Sequence, residues 1–550
     1  MSYSVQLWGK GFENHRVPDL SNGFFRNPVF PGDHPDPSIL KDGDDYYMVH
    51  SSFDVYPGLI IYQSRDLINW VPITAALTKW IGSVWASYLT KFGETYYIYI
   101  PARSIGKPTN YVISAPSITG PWSDPIDMHA PLGPDFPAYI DPSHVVGEDG
   151  KRYLFVAGTH YMQLTDDGLS IIPETFKLAV KPCPMPDEWL YHSPAPEGPK
   201  VARIGEYFFL TTAQGGTAGP PTSHFVFSYR SKSIHGPWEF SPRNPVMYTT
   251  TPEDNWWSKG HGTLVQGPKG GSSEWYLVFH GYEKEYYNLG RHTLLSPVVF
   301  TEDGWWYIPD LDFSKPLPMP IVLPGEKKFD LPYSDDFSTN KFGIQWGFYI
   351  SKPVAGPLPN ADRRPRYELT PSGKPSLVLN CKGDSPANAD PLTFRTGDYA
   401  YTISVKVTLL NPETAAGGLL LYYSSRMYAG LSFDGSGSFF LHRYGTDRPL
   451  PNRLKRPTSL MIRLVLNYKP MVLTMYTCED SEGKEWRRFE TQVNVDSYHH
   501  NSVFDFMSLR PALYASGQGE VRFENFTYEI NEVKKLTNDI GLLRKLIGEY

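Results

Sequence analysis

The stretch Asp45-Tyr46-Tyr47-Met48-Val49 and four later copies of its pattern decide the fold of this 550-residue chain. Each copy is a short aromatic strand that follows a polar turn containing Gly or Asp. The copies begin at Asp45, Thr95, Arg152, Glu206 and Trp275. They lie 50, 57, 54 and 69 residues apart. A four-stranded propeller blade takes roughly 40–50 residues plus insertions, so the pattern predicts an all-β, five-bladed β-propeller.

One conspicuous residue stands 9–14 residues upstream of each copy. These residues are Asp36, Trp85, Asp141, Glu197 and His261. Equivalent positions of successive blades lie around the propeller axis. We therefore expect three carboxylates, one tryptophan and one histidine to converge on one mouth of the central channel.

Shifts in composition divide the chain into four regions. Residues 1–314 carry the repeats, and a linker with Pro at alternate positions follows over 315–325. Beyond it, short strand patterns separated by turn signals predict a β-sandwich over 326–530. These patterns lie at 376–380, 401–409, 418–423, 438–443, 459–466, 471–476 and 521–530. Apolar residues at three-to-four spacing predict an amphipathic helix over 531–550.

Charge and cysteine content narrow the classes of function. The net charge of −7 is mild, which argues against a nucleic-acid or anionic-membrane partner. No apolar stretch reaches the length of about 18 residues that spans a membrane. The three cysteines form no disulfide or metal-ligand pattern. The N-terminus lacks signal-peptide features, which predicts a cytoplasmic protein, although a secreted protein whose signal has been removed reads the same way.

The three carboxylates suit the hydrolysis of a glycosidic bond, which needs a protonated carboxyl on one side and an ionised one on the other. Asp36 and Asp141 both occur in the phrase Asp-Pro-Ser, and Glu197 is flanked by prolines. A following Pro steers the Asp away from helical backbone, so we expect each side chain to leave an extended strand. Taken alone, each acidic residue is interpreted as a solvated turn residue. Three at matching blade positions indicate catalysis.

The chain resembles members of glycoside hydrolase family 43, in which a five-bladed propeller often precedes a C-terminal β-sandwich. The resemblance extends from Asn27 to about Ile530. Its motifs are Asp36-Pro37-Ser38, Val84-Trp85-Ala86, Asp141-Pro142-Ser143, Glu197-Gly198-Pro199, Gly260-His261-Gly262 and Leu289-Gly290-Arg291. The resemblance implies an inverting mechanism with Asp36 as general base and Glu197 as general acid. It implies that Asp141 orients the acid and raises its pKa.

The same resemblance implies a set of substrate-binding residues. Trp85 and Phe53 would wall the sugar pocket, and Arg291 would bind sugar hydroxyls. Thr217 would line the leaving-group side. Packing roles for these side chains are the alternative, chiefly for Phe53 and Thr217.

His261 has two interpretations: a core histidine under the channel, or, as the resemblance implies, a neighbour of a water-coordinated calcium. The second is preferred here. The sequence shows no carboxylate cage for calcium. We therefore expect no cofactor to be required for catalysis and any calcium in the channel to be structural.

The predicted function is exo-hydrolysis of terminal pentoses from plant cell-wall oligosaccharides or polysaccharides. α-L-Arabinofuranosidase is favoured because Ile140 and Ser87 depart from the pattern that the resemblance implies for β-D-xylosidases. A β-D-xylosidase or a dual enzyme is the alternative. A non-catalytic carbohydrate-binding propeller is more remote, since a lectin has no need of three carboxylates. The oligomeric state stays open.

Overall fold

The computed structural model describes residues 16–531 except 105, 134, 326–331, 352–366, 371–373, 452, 455–457, 469 and 481–482. Apart from Asn531, the helix predicted over 531–550 lies outside the described residues. The regular secondary structure of the described residues is almost entirely β-strand. Their α-helix is His500–Val503. Their 3₁₀ turns are Ala130–Leu132, Ala157–Thr159, Pro173–Thr175 and Tyr287–Leu289.

Five antiparallel sheets form the propeller. Blade I comprises Ser38–Asp42, Asp45–Val49, Gly58–Ser64 and Val71–Leu77. Blade II comprises Ser83–Val84, Tyr88–Phe92, Thr95–Arg103, Thr109–Ala115 and Ile126–Asp127. Blade III comprises Ser143–Val146, Arg152–Val156, His160–Gln163 and Lys177–Leu178. Blade IV comprises Ser193–Ile204, Tyr207–Gly215, Phe225–Ser231 and Glu239–Phe240. Blade V comprises Trp256–Gln266, Trp275–Glu283, Arg291–Phe300 and Trp306–Tyr307.

The aromatic repeat is the second long strand of every blade, which confirms the predicted fold class. In blade I the strand follows the two-residue turn Gly43-Asp44, where Gly43 has φ +63°. Hairpin turns of this length need positive φ at the first central residue, which glycine adopts without a steric penalty. The strand then buries both faces, since Tyr46 and Met48 are fully buried and Tyr47 is 7% exposed.

Residues of the two Asp-Pro-Ser phrases form hydrogen bonds between neighbouring blades. The Leu89 N–H of blade II donates to Ser38 Oγ at 2.9 Å, and the Val201 N–H of blade IV donates to Ser143 Oγ at 3.2 Å. Thr263 Oγ1 of blade V donates to the Pro37 carbonyl at 2.9 Å. The first and last blades share no strand, so such contacts close the ring between them.

Two larger sheets form the C-terminal sandwich, as predicted. One has the order Thr446–Leu450, Phe439–Arg443, Met427–Asp434, Ala415–Ser424, Arg510–Gly517, Leu392–Thr393, Gly347–Tyr349 and Val55–Tyr56. The other has the order Tyr367–Thr370, Ser376–Asn380, Glu520–Ile530, Tyr401–Leu409, Ser459–Asn467, Val472–Cys478 and Arg487–Asn494. The first sheet ends on a strand that belongs to the propeller, since Val55–Tyr56 follows Phe53 in blade I.

The predicted linker begins as part of the propeller. Leu317–Pro318 pairs with Phe24–Phe25 near the N-terminus. The Met319 N–H donates to the Gly23 carbonyl at 3.0 Å, and the Ser272 N–H donates to Pro320 at 2.7 Å. The chain therefore leaves the propeller only after this short paired segment.

The two domains share one hydrophobic core and a buried ion pair. Phe53, Tyr56 and Val84 of the propeller belong to the same buried cluster as Phe348 and Tyr349 of the sandwich. Arg510 Nη2 of the sandwich donates to Asp33 Oδ2 of the propeller at 2.7 Å, with both side chains no more than 2% exposed. Separation of the domains would expose both the apolar cluster and these charges.

Among the described residues, no helix has the length and apolar character needed to cross a membrane.

Arg510→Met should strongly destabilise the protein. It leaves the Asp33 carboxylate buried without its cation, and removal of one partner of a buried pair costs about 3–5 kcal/mol. The free energy of unfolding in urea measures the loss. The control is Lys232→Met in the exposed Lys232–Glu206 pair, which should unfold at the wild-type urea concentration. Equal midpoints for the two variants would contradict a stabilising role for the buried pair.

Candidate active site

The structure brings the three predicted carboxylates to the centre of the propeller. Asp36 and Asp141 are 5% and 4% exposed, whereas the Glu197 side chain is 27% exposed. Asp36 and Asp141 both have φ +57°, and His261 has φ +56°. The expectation that the two aspartates leave an extended strand is therefore wrong. Such backbone costs of order 1–3 kcal/mol per residue and recurs at functional sites.

Asp36 is a buried carboxylate held by a cation. Arg291 Nη1 donates to Oδ1 at 2.8 Å and Nη2 donates to Oδ2 at 3.3 Å, while Ser51 Oγ donates to Oδ2 at 2.6 Å. Burial alone would raise the pKa of Asp36, but the Arg291 guanidinium beside it outweighs burial and holds that pKa well below its usual range. Asp36 is therefore ionised at neutral pH, as a general base must be.

Asp141 acts on the backbone beside Glu197. Its Oδ2 accepts the Gly198 N–H at 2.9 Å. Burial, with the charges of Glu197 and Asp36, raises the pKa of Asp141, whereas the Lys200 ammonium opposes the rise. Lys200 is 3% exposed, and burial lowers its pKa against the pull of Asp141 and Asp36. A buried lysine thus partly balances this group of acids.

Glycine at position 198 lets the Glu197 turn lie on a histidine. Gly198 has φ +56°, and a Cβ there would lie 2.9 Å from His261 Cε1 and Nε2. Both the backbone angle and the close approach exclude a side chain. His261 therefore packs beneath the Glu197 turn, and its Nδ1 lies 3.4 Å from Asp36 Oδ1.

Two further histidines connect the Asp36 backbone to Glu197, and we call His280 and His224 the histidine bridge. The Asp36 N–H donates to His280 Nδ1 at 3.1 Å. His280 Nε2 lies 3.0 Å from His224 Nδ1, and His224 Nε2 lies 3.1 Å from Glu197 Oε1. Both rings are fully buried. The bridge is a continuous hydrogen-bonded path between the candidate base and the candidate acid.

Asp36, His261 and His280 are close enough to hold a metal ion, since their ligand atoms lie within 4.8 Å of one another. The bonds around them do not fit calcium, which prefers six to eight oxygen ligands. Two of the three groups are imidazoles, and the carboxylate is paired with Arg291. His280 Nδ1 already accepts an amide N–H. These three side chains therefore do not form a calcium site.

Aromatic residues from both domains wall the pocket. The Phe53 ring stacks on Phe506 of the sandwich, with centroids 6.2 Å apart and planes 14° apart. The Arg291 guanidinium lies 5.9 Å from the Phe53 centroid and 5.3 Å from that of Phe506. Phe53 also pairs through its backbone with Val84, which places Trp85 beside it. A sandwich side chain thus contacts two of the predicted substrate-binding residues.

Thr217, whose role on the leaving-group side stays a prediction, lies beside the histidine bridge. It is 8% exposed, and its Oγ1 lies 3.5 Å from His280 Nε2. Its described contact is therefore with the histidine bridge, which favours the packing alternative for this side chain.

Sequence reasoning missed five residues of this site: Ser51, Lys200, His224, His280 and Phe506. Signals existed for most of them. Ser51 lies two residues before Phe53, Lys200 directly follows Glu197-Gly198-Pro199, and His280 directly follows the fifth aromatic repeat. Phe506 carries no such signal, because its place depends on how the sandwich docks.

A family model described as glycosyl hydrolases family 43 matches residues 25–306, nearly the whole propeller. A non-reducing end alpha-L-arabinofuranosidase of Bacteroides ovatus is 32% identical over 349 residues, covering 60% of this chain and 62% of that protein. A xylan 1,3-beta-xylosidase of a Vibrio species is 32% identical over 337 residues, covering 52% of this chain and 57% of that protein. The chain therefore matches about three-fifths of the length of these curated relatives.

Solved structures resemble the chain over both domains. A GH43 protein from Bacillus licheniformis has a TM-score of 0.76 at 24% identity and covers 92% of this chain and all of that one. A xylan beta-1,4-xylosidase from Bacillus halodurans has a TM-score of 0.74 at 25% identity, covering 92% of this chain and 99% of that one. These matches support the two-domain fold.

Arg291→Met should move the acid limb of the kcat/KM profile to higher pH. The loss of this cation removes the main influence that lowers the pKa of Asp36, and a charge at this distance shifts a pKa by about 1–3 units. A base with a raised pKa becomes protonated sooner as the pH falls. Ser51→Ala, which removes one neutral hydrogen bond, should shift the limb in the same direction by less. An unmoved limb in both variants would show that Asp36 does not set it.

Proposed function

Because this chain belongs to glycosyl hydrolase family 43, we propose that it is an inverting, exo-acting hydrolase of carbohydrates. Its proposed reaction releases terminal α-L-arabinofuranose from plant cell-wall polysaccharides such as arabinoxylan. The observation that carries this proposal is the contrast between two carboxyl groups. Asp36 is buried and paired with a guanidinium, whereas Glu197 is partly exposed and bonded to an imidazole.

The two environments assign the two roles that the reaction needs. Ionised Asp36 takes a proton from a water molecule as the water oxygen attacks the anomeric carbon. Glu197 gives its proton to the leaving oxygen as the glycosidic bond breaks, so the anomeric configuration inverts. Asp141 holds the Glu197 turn through the Gly198 N–H. No cofactor enters this reaction.

The pocket wall supports attack on chain ends or single side groups. Phe53, Phe506 and Arg291 contact one another across the two domains. An aromatic face suits the C–H side of a pentose, and the guanidinium beside it can bind hydroxyl groups. Such a wall beside the carboxylates is consistent with a site for a terminal sugar.

A β-D-xylosidase, or an enzyme with both activities, is the second candidate. It is favoured by the xylosidase name of a relative as similar as the arabinofuranosidase. Ile140 and Ser87, which depart from the pattern that the resemblance implies for β-D-xylosidases, favour arabinose. A non-catalytic binding propeller is disfavoured, because it would have no use for an aspartate whose pKa is held well below its usual range by Arg291.

Asp36→Asn and Glu197→Gln should each lower kcat by about 10²–10⁴-fold, the contribution of general acid–base groups. The assay uses nitrophenyl α-L-arabinofuranoside and β-D-xyloside beside arabinoxylan, with the first anomer identified by proton NMR. An inverted first product is expected. A retained configuration, or a folded variant that keeps more than about a tenth of the rate, would contradict these roles.

Phe506→Ala should raise KM for terminal pentosides more than it lowers kcat, because it removes a wall of the pocket and leaves the carboxylates in place. Tyr444→Ala is the control, since Tyr444 is an exposed aromatic of the same domain. Kinetics on short and long substrates measure the effect. If Phe506→Ala changes KM no more than the control does, the sandwich does not shape the pocket.

A further inference from the structure

The hydrogen bonds of the histidine bridge have a fixed donor-to-acceptor order, because one end of the bridge is a peptide N–H. An amide nitrogen in the backbone is always a donor. The Asp36 N–H donates to His280 Nδ1 at 3.1 Å, so that nitrogen carries a lone pair and no proton. Burial lowers the pKa of His280 to about 3, which leaves the ring neutral. A neutral ring with a bare Nδ1 has its proton on Nε2.

The same donor-to-acceptor order continues from His280 to His224. With its proton on Nε2, His280 must donate across the 3.0 Å contact to His224 Nδ1. His224 Nδ1 is then an acceptor, and the remaining donor of this ring is Nε2. Nε2 lies 3.1 Å from Glu197 Oε1, which therefore accepts.

A competing contact does not reverse this order. Asp36 Oδ1 also lies 3.1 Å from His280 Nδ1, but the geometry of a hydrogen bond is met by the amide and not by this carboxylate. That oxygen instead accepts from Arg291 at 2.8 Å. The surroundings also fix the His224 ring, since a Cβ on Gly260 would lie 2.3 Å from His224 Nδ1.

We propose that His280 and His224 are positioning residues. The Asp36 peptide N–H fixes which nitrogen of each ring carries the proton, so that His224 donates to Glu197 Oε1 and the acid proton of Glu197 resides on Oε2. This inference rests on the proposed role of Glu197 as general acid. In the opposite direction, Glu197 would donate its proton from Oε1 to His224 Nε2. The carboxyl proton would then be engaged in a hydrogen bond to the histidine, and an unprotonated oxygen would face the leaving group.

The proposal predicts that loss of the bridge impairs protonation of the leaving group specifically. His280→Asn keeps an oxygen that can accept the Asp36 N–H but loses the donor that reaches His224. On substrates with poor leaving groups, such as arabino-oligosaccharides, kcat/KM should fall on the order of 10²-fold, the lower range of general-acid contributions. On dinitrophenyl arabinofuranoside, whose leaving group departs without a proton, the loss should be less than a tenth as large.

Two amide substitutions of His224 provide a matched pair. His224→Gln places an N–H near the original Nε2 and can still donate to Glu197, whereas His224→Asn places its amide near the original Nδ1 and cannot reach. Activity on poor leaving groups should therefore be higher for the glutamine variant. Equal activities, or the reverse order, would overturn the proposal. This pair also carries the test if His280→Asn does not fold.

Glu197→Gln separates failure of this inference from failure of the proposed function. If Glu197→Gln loses the same factor on every leaving group, Glu197 is not the acid and the proposed function itself fails. If Glu197→Gln shows the leaving-group dependence but His280→Asn does not, only the bridge proposal is overturned. Nitrogen-15 NMR of histidine-labelled wild-type protein gives a second readout. Two Nε2–H tautomers at His224 and His280 are expected, and Nδ1–H tautomers would refute the proposed direction.

Discussion

The burial of a charged carboxylate at Asp36 is the constraint on which the rest of this structure depends. A buried charge without a partner costs several kcal/mol, so the fold must bring compensating groups to it. The main one is the Arg291 guanidinium, which comes from blade V, whereas Asp36 precedes the first strand of blade I. The propeller shares no strand between these blades. The Arg291–Asp36 ion pair therefore also joins the first and last blades of the propeller.

Electrostatic balance extends from Asp36 to the other acids. Three carboxylates in one buried region repel one another, and the raised pKa of Asp141 reflects that repulsion together with burial. Lys200 lies in the same region with its Nζ buried. It follows Glu197 by three residues on the same strand, so the segment that carries this carboxylate also carries a neutralising charge. The charges of this site are thus coupled, and a change in one of them alters the pKa values of its neighbours.

Sequence patterns predicted the fold because the propeller repeats itself. A strand such as Asp45–Val49 is specified by local alternation and a turn, and five copies at one period leave few other architectures. The three carboxylates could be predicted for the same reason, since they occupy one slot of the repeat. The left-handed backbone at Asp36 and Asp141 could not, because a following proline favours extended backbone and the surrounding ring overrides that preference.

The histidine bridge and Phe506 could not be predicted for a different reason. His224 and His280 lie in separate blades, 56 residues apart, and their function depends on the orientation of two rings. Phe506 reaches the pocket only because the sandwich docks where it does. Periodicity carries information about strands and their neighbours, whereas these residues depend on long-range packing.

The strand Val55–Tyr56 has a consequence for the evolution of such proteins. It follows Phe53 in the propeller but completes a sheet of the sandwich. The boundary between the domains thus runs through a hydrogen-bonded sheet instead of through a flexible connection. A gene fusion that exchanged one sandwich for another would have to match this edge strand in register and hydrophobic pattern. The two domains of this chain are therefore expected to diverge as a single heritable unit, and the sandwich is not an interchangeable accessory.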